Sequence, residues 1–364
     1  MDSHFNAYKA KFEVLDKYVQ GITQSQYIRS MDIFVNLDDV FHNMHRPVVN
    51  KEVQLCGIHA SLQCASNIIN LLAHYKQWAA KKKIKARVFG IYTSSMVGFK
   101  NSIYLPAYRD HHKTISDPKN QAYFFVNDAV MNAIPVAQNI VDYVDNVFII
   151  NSRYLEPSII PLWLKNMGIA NYDWGMIVSR DHYDLQYAYR DRWIYVSPKG
   201  ENTRVINRSN MWKYLGEREH VIDIGHNASF YHHNIFPLAL AVAGNKLRTI
   251  PRLHRIGWKT LFKYLDTVTE KETDSLQIVS SRFLELLGKK GVTESQIQKN
   301  LATVGLDTQV SVMNDIDGAL IRDQLKFVSD YEALASINTR YFDQFPINIP
   351  FLTASYDSKS PFFF

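Results

Sequence analysis

Short apolar segments alternate with amphipathic ones in the first part of the chain, and this alternation constrains the fold more than any other feature. Residues 31–41, MDIFVNLDDVF, have the composition of a buried strand followed by a loop. Residues 55–78 carry apolar side chains at a helical period, and residues 86–92, ARVFGIY, form a second strand segment. Further strands are expected at 147–151, 174–179 and 193–197. The order predicts an α/β fold, with a central, mainly parallel sheet flanked by helices.

The later part of the chain has a helical pattern instead. A helix over 158–167 fits between two of the strands, and from Ile235 to about Tyr341 the apolar period is helical throughout, with helices around 276–287 and 319–334. No repeat or Gly/Ser linker separates the parts, so we expect one packed body. The predicted organisation is an N-terminal extension (1–30), an α/β domain (31–225), a helical domain (226–345) and a C-terminal tail (346–364).

Charge and cysteine content limit the partner and the compartment. The net charge is +6, from 41 basic and 35 acidic residues, and favours an anionic partner. Aromatic residues make up 13% of the chain and suit either a large core or stacking surfaces for bases. Cys56 and Cys64 form no C-x-x-C motif, which favours a reducing, cytoplasmic compartment. No stretch approaches the roughly 18 apolar residues of a membrane span, and we expect no membrane association.

Residues 244–261, GNKLRTIPRLHRIGWKTL, contain the most specific motif. Within them, Ile256-Gly257-Trp258-Lys259-Thr260 place a glycine at a tight turn, followed by a helix start. Backbone N–H groups at such a start, with the positive end of the helix dipole and a lysine, suit a phosphate or a bound cation. This pattern predicts a turn that binds a phosphate group or a cation.

The same stretch resembles the 5′-nuclease superfamily of flap endonucleases, the 5′→3′ exonuclease domain of bacterial DNA polymerase I and phage 5′ exonucleases. That family has a helix–turn–helix around G-I-G-x-K-T-A, preceded by G-D-x-x-D-N-[IL]-P-G. Here the second pattern reads GNKLRTIPR, with Asn245 and Arg248 at the positions of two metal-binding aspartates. The resemblance implies a PIN-like 5′-nuclease fold with an H3TH-like motif at 244–265 in its helical half. The family's flexible arch would fall between Asp110 and Asp142, where the pattern is weakly periodic.

The resemblance also locates the family's other metal ligands. The first strand of the family ends in an aspartate where this chain has Asn36, and the second where it has Thr93. The E-A-D-D element reads Glu156-Pro157-Ser158-Ile159, which retains only its glutamate. Asp181 and Asp184 match two further aspartates, but an inserted residue between them would turn one away from a shared metal. Substitution for Asn36 by the nearby Asp38 or Asp39 remains an open alternative.

Two functions compete on these residues. The preferred hypothesis is a catalytically inactive 5′-nuclease-like protein, a pseudonuclease that binds branched or duplex DNA or a protein partner and needs no cofactor. The alternative is an active, divergent 5′ exonuclease or flap endonuclease that uses Glu156, Asp181 and Asp184 with Mg²⁺ or Mn²⁺. The candidate DNA-binding residues are Lys100, Arg109, Ile256, Gly257, Lys259 and Thr260.

The chain ends in three aromatic residues, Phe362, Phe363 and Phe364, after a turn-rich segment. Three apolar side chains at a chain end need a surface on which to dock. They would dock either on this protein's own helical half or on a partner, as the clamp-binding tails of flap endonucleases do. The tail and the compact layout would suit a phage or large-virus protein.

Overall fold

The computed structural model describes residues 5–23, 28–42, 57–93, 121–152, 156–221, 231–244, 250–269, 275–311, 315–328, 330, 332–333, 336 and 347. Its strands are β1 (Ser30–Asn36), β2 (Lys85–Thr93), β3 (Val147–Ser152), β4 (Trp174–Val178), β5 (Trp193–Ser197) and β6 (Arg204–Ile206). Its helices are α1 (Phe12–Thr23), α2 (Leu37–His42), α3 (Gly57–Lys81), α4 (Gln121–Val141), α5 (Ile160–Asn166), α6 (Met211–Arg218), α7 (Phe236–Ala243), α8 (Trp258–Val268), α9 (Leu276–Lys289), α10 (Glu294–Val304), α11 (Leu306–Ser311) and α12 (Asp315–Arg322).

The six strands form one sheet in the order β3-β2-β1-β4-β5-β6. The first five are parallel, and β6 pairs antiparallel with β5. In register, Val35 of β1 lies between Gly90 of β2 and Val178 of β4. The predicted α/β fold with a mainly parallel sheet is confirmed, and the short edge strand β6 was not predicted.

Helices cover both faces of the sheet, which explains why its strands are apolar on both sides. On β1, Ile33 and Val35 face a core shared with α1, α3 and α4, whereas Phe34 faces the core shared with helices α5 to α11. Gly175 of β4 allows this second core to close, because a Cβ there would lie 2.4 Å from the Trp193 ring. The sheet and the helical half therefore share one core, and the domain boundaries proposed above remain predictions.

Three elements differ from the sequence-based expectation. A helix, α2, follows β1 in place of the expected loop, because Leu37, Val40 and Phe41 bury one face and two aspartates favour its first turn. The weakly periodic region before residue 142 contains the helix α4. Helix α12 ends at Arg322, well before residue 334, and Gln324 then hydrogen-bonds both main-chain groups of Asn151 in the edge strand β3.

The structure describes one of the two cysteines. Cys64 lies in the core of α3, where burial raises the pKa of its thiol to about 12, and Cys56 lies outside the described residues. Among the helices described, none combines the length and apolar character that crossing a bilayer requires.

A buried carboxylate fixes the amino-terminal half of β1. Asp32 is fully buried, and its two oxygens accept from Arg87 Nε at 2.7 Å and from Lys165 Nζ at 2.9 Å. The main-chain N–H of Tyr172 donates to the same carboxylate at 3.0 Å. This cluster joins β1, β2 and α5 on one face of the sheet.

We predict that Asp32→Ala lowers the free energy of unfolding by about 3–5 kcal/mol, because it leaves two largely buried cations without their shared anion. Urea unfolding measures the change. The matched control is Asp191→Ala, since Asp191 pairs with Arg192 at 3.8 Å in an exposed position. The control should have no measurable effect, and equal effects of the two substitutions would contradict the assigned role of Asp32.

Candidate functional site

The site lies where the strand order of the sheet reverses. From β1 the chain continues to β2 and β3 on one side, whereas β4 and β5 lie on the other. Open α/β sheets bind ligands outside the carboxyl ends of the strands at such a point. We call the space beyond the ends of β1 and β4, at Asn36 and Ser179, the switch crevice.

Asn36 bridges two acidic residues at this crevice. Its Nδ2 donates to Asp184 Oδ2 at 2.9 Å, and its Oδ1 accepts from the main-chain N–H of Asp39 at 3.1 Å. The amide is 7% exposed, so both hydrogen bonds are shielded from water. One side chain thus connects the end of β1 to α2 and to the segment that follows β4.

Asp39 lies at the centre of the remaining acidic groups. Its carboxylate is buried and accepts from the main-chain N–H of Arg180 at 2.5 Å. Burial raises the pKa of Asp39 to about 7, the Arg180 hydrogen bond opposes the shift, and the charges of Asp181 and Asp184 add to it. Three carboxylates therefore interact electrostatically at the switch crevice.

Asp181 and Asp184 have different structural roles. A 3₁₀ helix spans His182–Tyr187, and Asp181 is its N-cap, with Oδ1 accepting from Tyr183 N at 2.9 Å. Asp184 lies one turn later, where its side chain meets Asn36. With this spacing of three residues, Asp181 caps the 3₁₀ helix and Asp184 accepts a hydrogen bond from the Asn36 amide.

Thr93 and Glu156 are two of the other aligned positions within the described residues, along with Ser158 and Ile159. The main-chain N–H of Thr93, the last residue of β2, donates to Asp38 Oδ1 at 2.7 Å. Glu156 is buried, and its carbonyl accepts from Ile159 N at 3.0 Å in the turn before α5. Asp38 thus closes the end of β2, and Glu156 begins the turn that leads into a helix.

A small cavity lies directly against this site. It is partly open to solvent, and Asn36, Ser158 and Asp184 contribute polar groups to its lining. Its remaining lining residues are Phe34, Ile91, Pro157, Pro161, Ile177 and Tyr187. The structure therefore brings three of the aligned positions together, from β1, from the turn before α5 and from the 3₁₀ helix.

Cationic side chains stand beside these acids. Arg180 Nε donates to the Pro198 carbonyl at 2.6 Å, at the end of β5. Burial disfavours the charge of Arg218, but the nearby Tyr195, Tyr214 and Asp181 raise its pKa above the usual arginine value. Arg218 therefore lies close enough to Asp181 to offset part of its charge.

The described residues at the switch crevice do not fit a pair of divalent ions. Each such ion needs about six oxygen ligands, mostly anionic or from water. No group of three His, Cys, Asp or Glu side chains in the described ranges is placed to hold a metal. An amide donor of Asn36 occupies one oxygen of Asp184, and Asp181 caps a helix. Asn245 and Arg248 lie outside the described residues.

The second candidate region is the turn before α8. Gly257 is the N-cap of α8 and provides no side-chain cap, so the first amides of the helix begin at Trp258 and Lys259. Arg252 approaches this start, because a Cβ on Gly257 would lie 3.5 Å from the Arg252 guanidinium. The turn combines a helix N-terminus with a guanidinium group.

Two of the predicted DNA-binding positions are already engaged within the protein. The Ile256 side chain is buried in the core, and its main-chain N–H donates to Leu253 O at 2.8 Å. The N–H of Thr260 donates to Gly257 O at 3.0 Å. The apolar side chain of Ile256 therefore anchors the turn in the core, and the DNA contacts proposed for this turn remain predictions.

Exposed basic side chains surround the same turn. We call Arg252, Arg255, Lys259 and Lys263 the basic turn, and all four are exposed. Lys100 and Arg109, the other predicted DNA contacts, lie outside the described residues. Phe362, Phe363 and Phe364 also lie outside them.

Sequence reasoning missed three site residues: Arg180, Arg218 and Tyr8, whose hydroxyl donates to the Asp39 carbonyl at 2.9 Å. A signal existed for Arg180, because the family pattern S-G-D has glycine where this chain has arginine between Ser179 and Asp181. No comparable signal marked the other two. Tyr8 and Arg218 are distant in sequence from the aligned motifs and reach the site only through folding.

Solved structures of other proteins share this fold. The T5 5′-exonuclease with bound zinc ions is 15% identical, with a TM-score of 0.52 over 82% of this chain and 98% of that chain. A bacteriophage T5 flap endonuclease, in a pseudo-enzyme–product complex with DNA and metal ions, is 16% identical, with a TM-score of 0.50 and the same coverage. No protein-family model matches the sequence, and no curated protein matches it. The chain therefore has the 5′-nuclease superfamily fold.

The buried Asp39 generates a pH prediction. Its folded-state pKa of about 7 exceeds the unfolded value near 4, so this carboxyl stabilises the folded state at low pH and that contribution is lost as pH rises from about 4 to 7. We predict that Asp39→Asn matches the natural protein at about pH 4.5 but is more stable by about 2 kcal/mol or more at pH 8.

Urea unfolding at the two pH values measures the difference. Asp191→Asn is the control, because that carboxylate is exposed and its substitution should produce no pH-dependent gap. A constant stability difference between Asp39→Asn and the natural protein at both pH values would contradict the raised pKa of Asp39.

Proposed function

We propose that this protein is a pseudonuclease, a binding module that retains the 5′-nuclease fold without hydrolytic activity. The observation that carries the proposal is the hydrogen bond from Asn36 Nδ2 to Asp184 Oδ2 at 2.9 Å. It places an amide donor where a two-metal site needs an anionic oxygen.

The charge balance of the crevice supports the same proposal. Several carboxylates hold a pair of divalent ions together. The carboxylates repel one another, and the bound metal offsets that repulsion. Here the acids are satisfied within the protein: Asp181 caps the 3₁₀ helix, Asp39 accepts the Arg180 N–H, and Arg218 offsets charge nearby. These contacts offset part of the negative charge of the crevice without a cation.

We propose DNA as the ligand, bound at the basic turn. Four exposed cations lie within a segment of twelve residues, 252–263, and α8 begins there without a side-chain cap. Such a surface suits a phosphate backbone and carries no sequence specificity by itself. The similar T5 flap endonuclease was solved with DNA, which supports this choice of ligand.

We predict that duplex or branched DNA binds and that its affinity falls steeply with added salt, because phosphate contacts release counterions. Lys259→Ala and Arg252→Ala should each weaken binding about three- to tenfold and lower the salt slope by about one. Fluorescence anisotropy at several salt concentrations measures both quantities.

Lys17→Ala is the control for this experiment, since Lys17 is an exposed cation on α1 and should leave binding unchanged. An equal loss in Lys17→Ala would indicate non-specific attraction to net charge. A flat salt response, or no DNA binding, would instead favour a protein partner, with Phe362, Phe363 and Phe364 as its candidate contacts.

A nuclease assay tests the absence of catalysis directly. We predict no cleavage of 5′-flap or nicked DNA in Mg²⁺ or Mn²⁺, because the crevice offers too few anionic ligands for two ions. Turnover by the natural protein that Asp181→Ala abolishes would instead establish the alternative, an active and divergent 5′ exonuclease or flap endonuclease.

A further inference from the structure

The N-terminal segment 5–11 crosses the switch crevice. The Ala7 carbonyl accepts from Arg180 Nη2 at 2.9 Å and from Gly200 N at 3.3 Å, just beyond the ends of β4 and β5. The Tyr8 hydroxyl donates to the carbonyl of Asp39 at 2.9 Å, beyond the end of β1. The segment therefore contacts the chain after three strands, at the place where the fold would admit a ligand.

Helix α3 holds the same segment from behind. The Tyr75 hydroxyl donates to the Tyr8 carbonyl at 2.6 Å and accepts from Ala10 N at 3.2 Å. Phe5 and Tyr8 are buried, and the Phe5 ring packs edge-on against Phe41 at 6.1 Å between centroids. Segment 5–11 is thus built into the fold on one side and lies on the crevice on the other.

The contacts of Arg180 resemble those that a nucleotide would make. Its guanidinium lies 4.1 Å from the centroid of the Tyr8 ring and donates to the Ala7 carbonyl. A stacked aromatic ring and an anionic or carbonyl oxygen are what arginine receives from a base and a phosphate in single-stranded nucleic acid. Ala7 and Tyr8 therefore occupy Arg180 with the same two kinds of group.

We propose that segment 5–11 is an intramolecular cover that competes with single-stranded nucleic acid for Arg180. The guanidinium face that Tyr8 covers and the Nη2 hydrogen that the Ala7 carbonyl accepts are not available to a nucleotide while the segment is in place, so the segment and a nucleotide compete for them. The covered site at Arg180 is separate from the basic turn, and the proposal does not depend on whether DNA binds at that turn. The covered site provides a second nucleic-acid contact that opens only when the N-terminal segment leaves.

The first measurement asks whether Tyr8 holds the cover closed. Trypsin cleaves after Lys9 and Lys11, both partly buried in the closed segment, so cleavage there reports its opening. Tyr8→Ala should accelerate this cleavage about tenfold relative to the natural protein, and Tyr8→Phe, which loses only the hydrogen bond to Asp39 O, should have a smaller effect. Unchanged cleavage in both variants would overturn the proposal.

The second measurement asks whether opening exposes Arg180. A labelled oligothymidylate of about ten nucleotides should bind Tyr8→Ala about fivefold or more tightly than the natural protein, by fluorescence anisotropy. Adding Arg180→Gln to Tyr8→Ala should remove that gain, because the segment is open but the guanidinium that binds the oligonucleotide is lost. Faster cleavage with unchanged oligonucleotide affinity, or a gain that survives Arg180→Gln, would overturn the proposal.

Ile140→Ala is the matched control for lost packing. Ile140 is buried in the same core, on α4, and makes none of the described contacts of segment 5–11. It should change neither tryptic cleavage after Lys9 nor oligonucleotide affinity. The outcome is separable from the proposed function, which fails if the natural protein cleaves DNA or if Lys259→Ala leaves duplex binding unchanged.

Discussion

One hydrogen bond organises the switch crevice: the amide of Asn36 donates to the carboxylate of Asp184. A carboxylate at residue 36 would face Asp184 across the same distance and would repel it unless a cation lay between them. The amide removes that requirement, because one end donates to Asp184 and the other accepts from Asp39 N. The uncharged amide of Asn36 therefore joins the end of β1 to the start of α2 and to the 3₁₀ helix.

The remaining negative charge is balanced by groups from several parts of the chain. The main-chain N–H groups of Arg180 and Tyr183 donate to the carboxylates of Asp39 and Asp181, respectively. Arg218 lies within electrostatic range of Asp181. Each of these donors is fixed by secondary structure or by burial, so each acts without reorganisation of solvent. These contacts join the elements around the crevice, and segment 5–11 covers its outer side.

The sequence predicted the parts of this structure that depend on local pattern. Apolar runs located β1, β2, β3, β4 and β5, and the motif around Asp181 and Asp184 located the end of β4. It could not predict the packing of Tyr8 or Arg218, since neither has a local signal and both reach the crevice from distant segments. The burial of the Ile256 side chain had no local signal either, because a turn motif shows where a residue lies but not which way its side chain points.

The 3₁₀ helix of the crevice and the start of α8 are physically connected. His182, the first residue of that 3₁₀ helix, meets the Trp258 ring edge-on with centroids 6.3 Å apart, and Trp258 is the first residue of α8. Glu219 lies 3.9 Å from His182 and is also within electrostatic range of Arg252 in the basic turn. This edge-on contact packs the first residue of α8 against the segment that carries Asp181 and Asp184. The switch crevice and the basic turn are therefore linked by one ring contact and by the charge of Glu219.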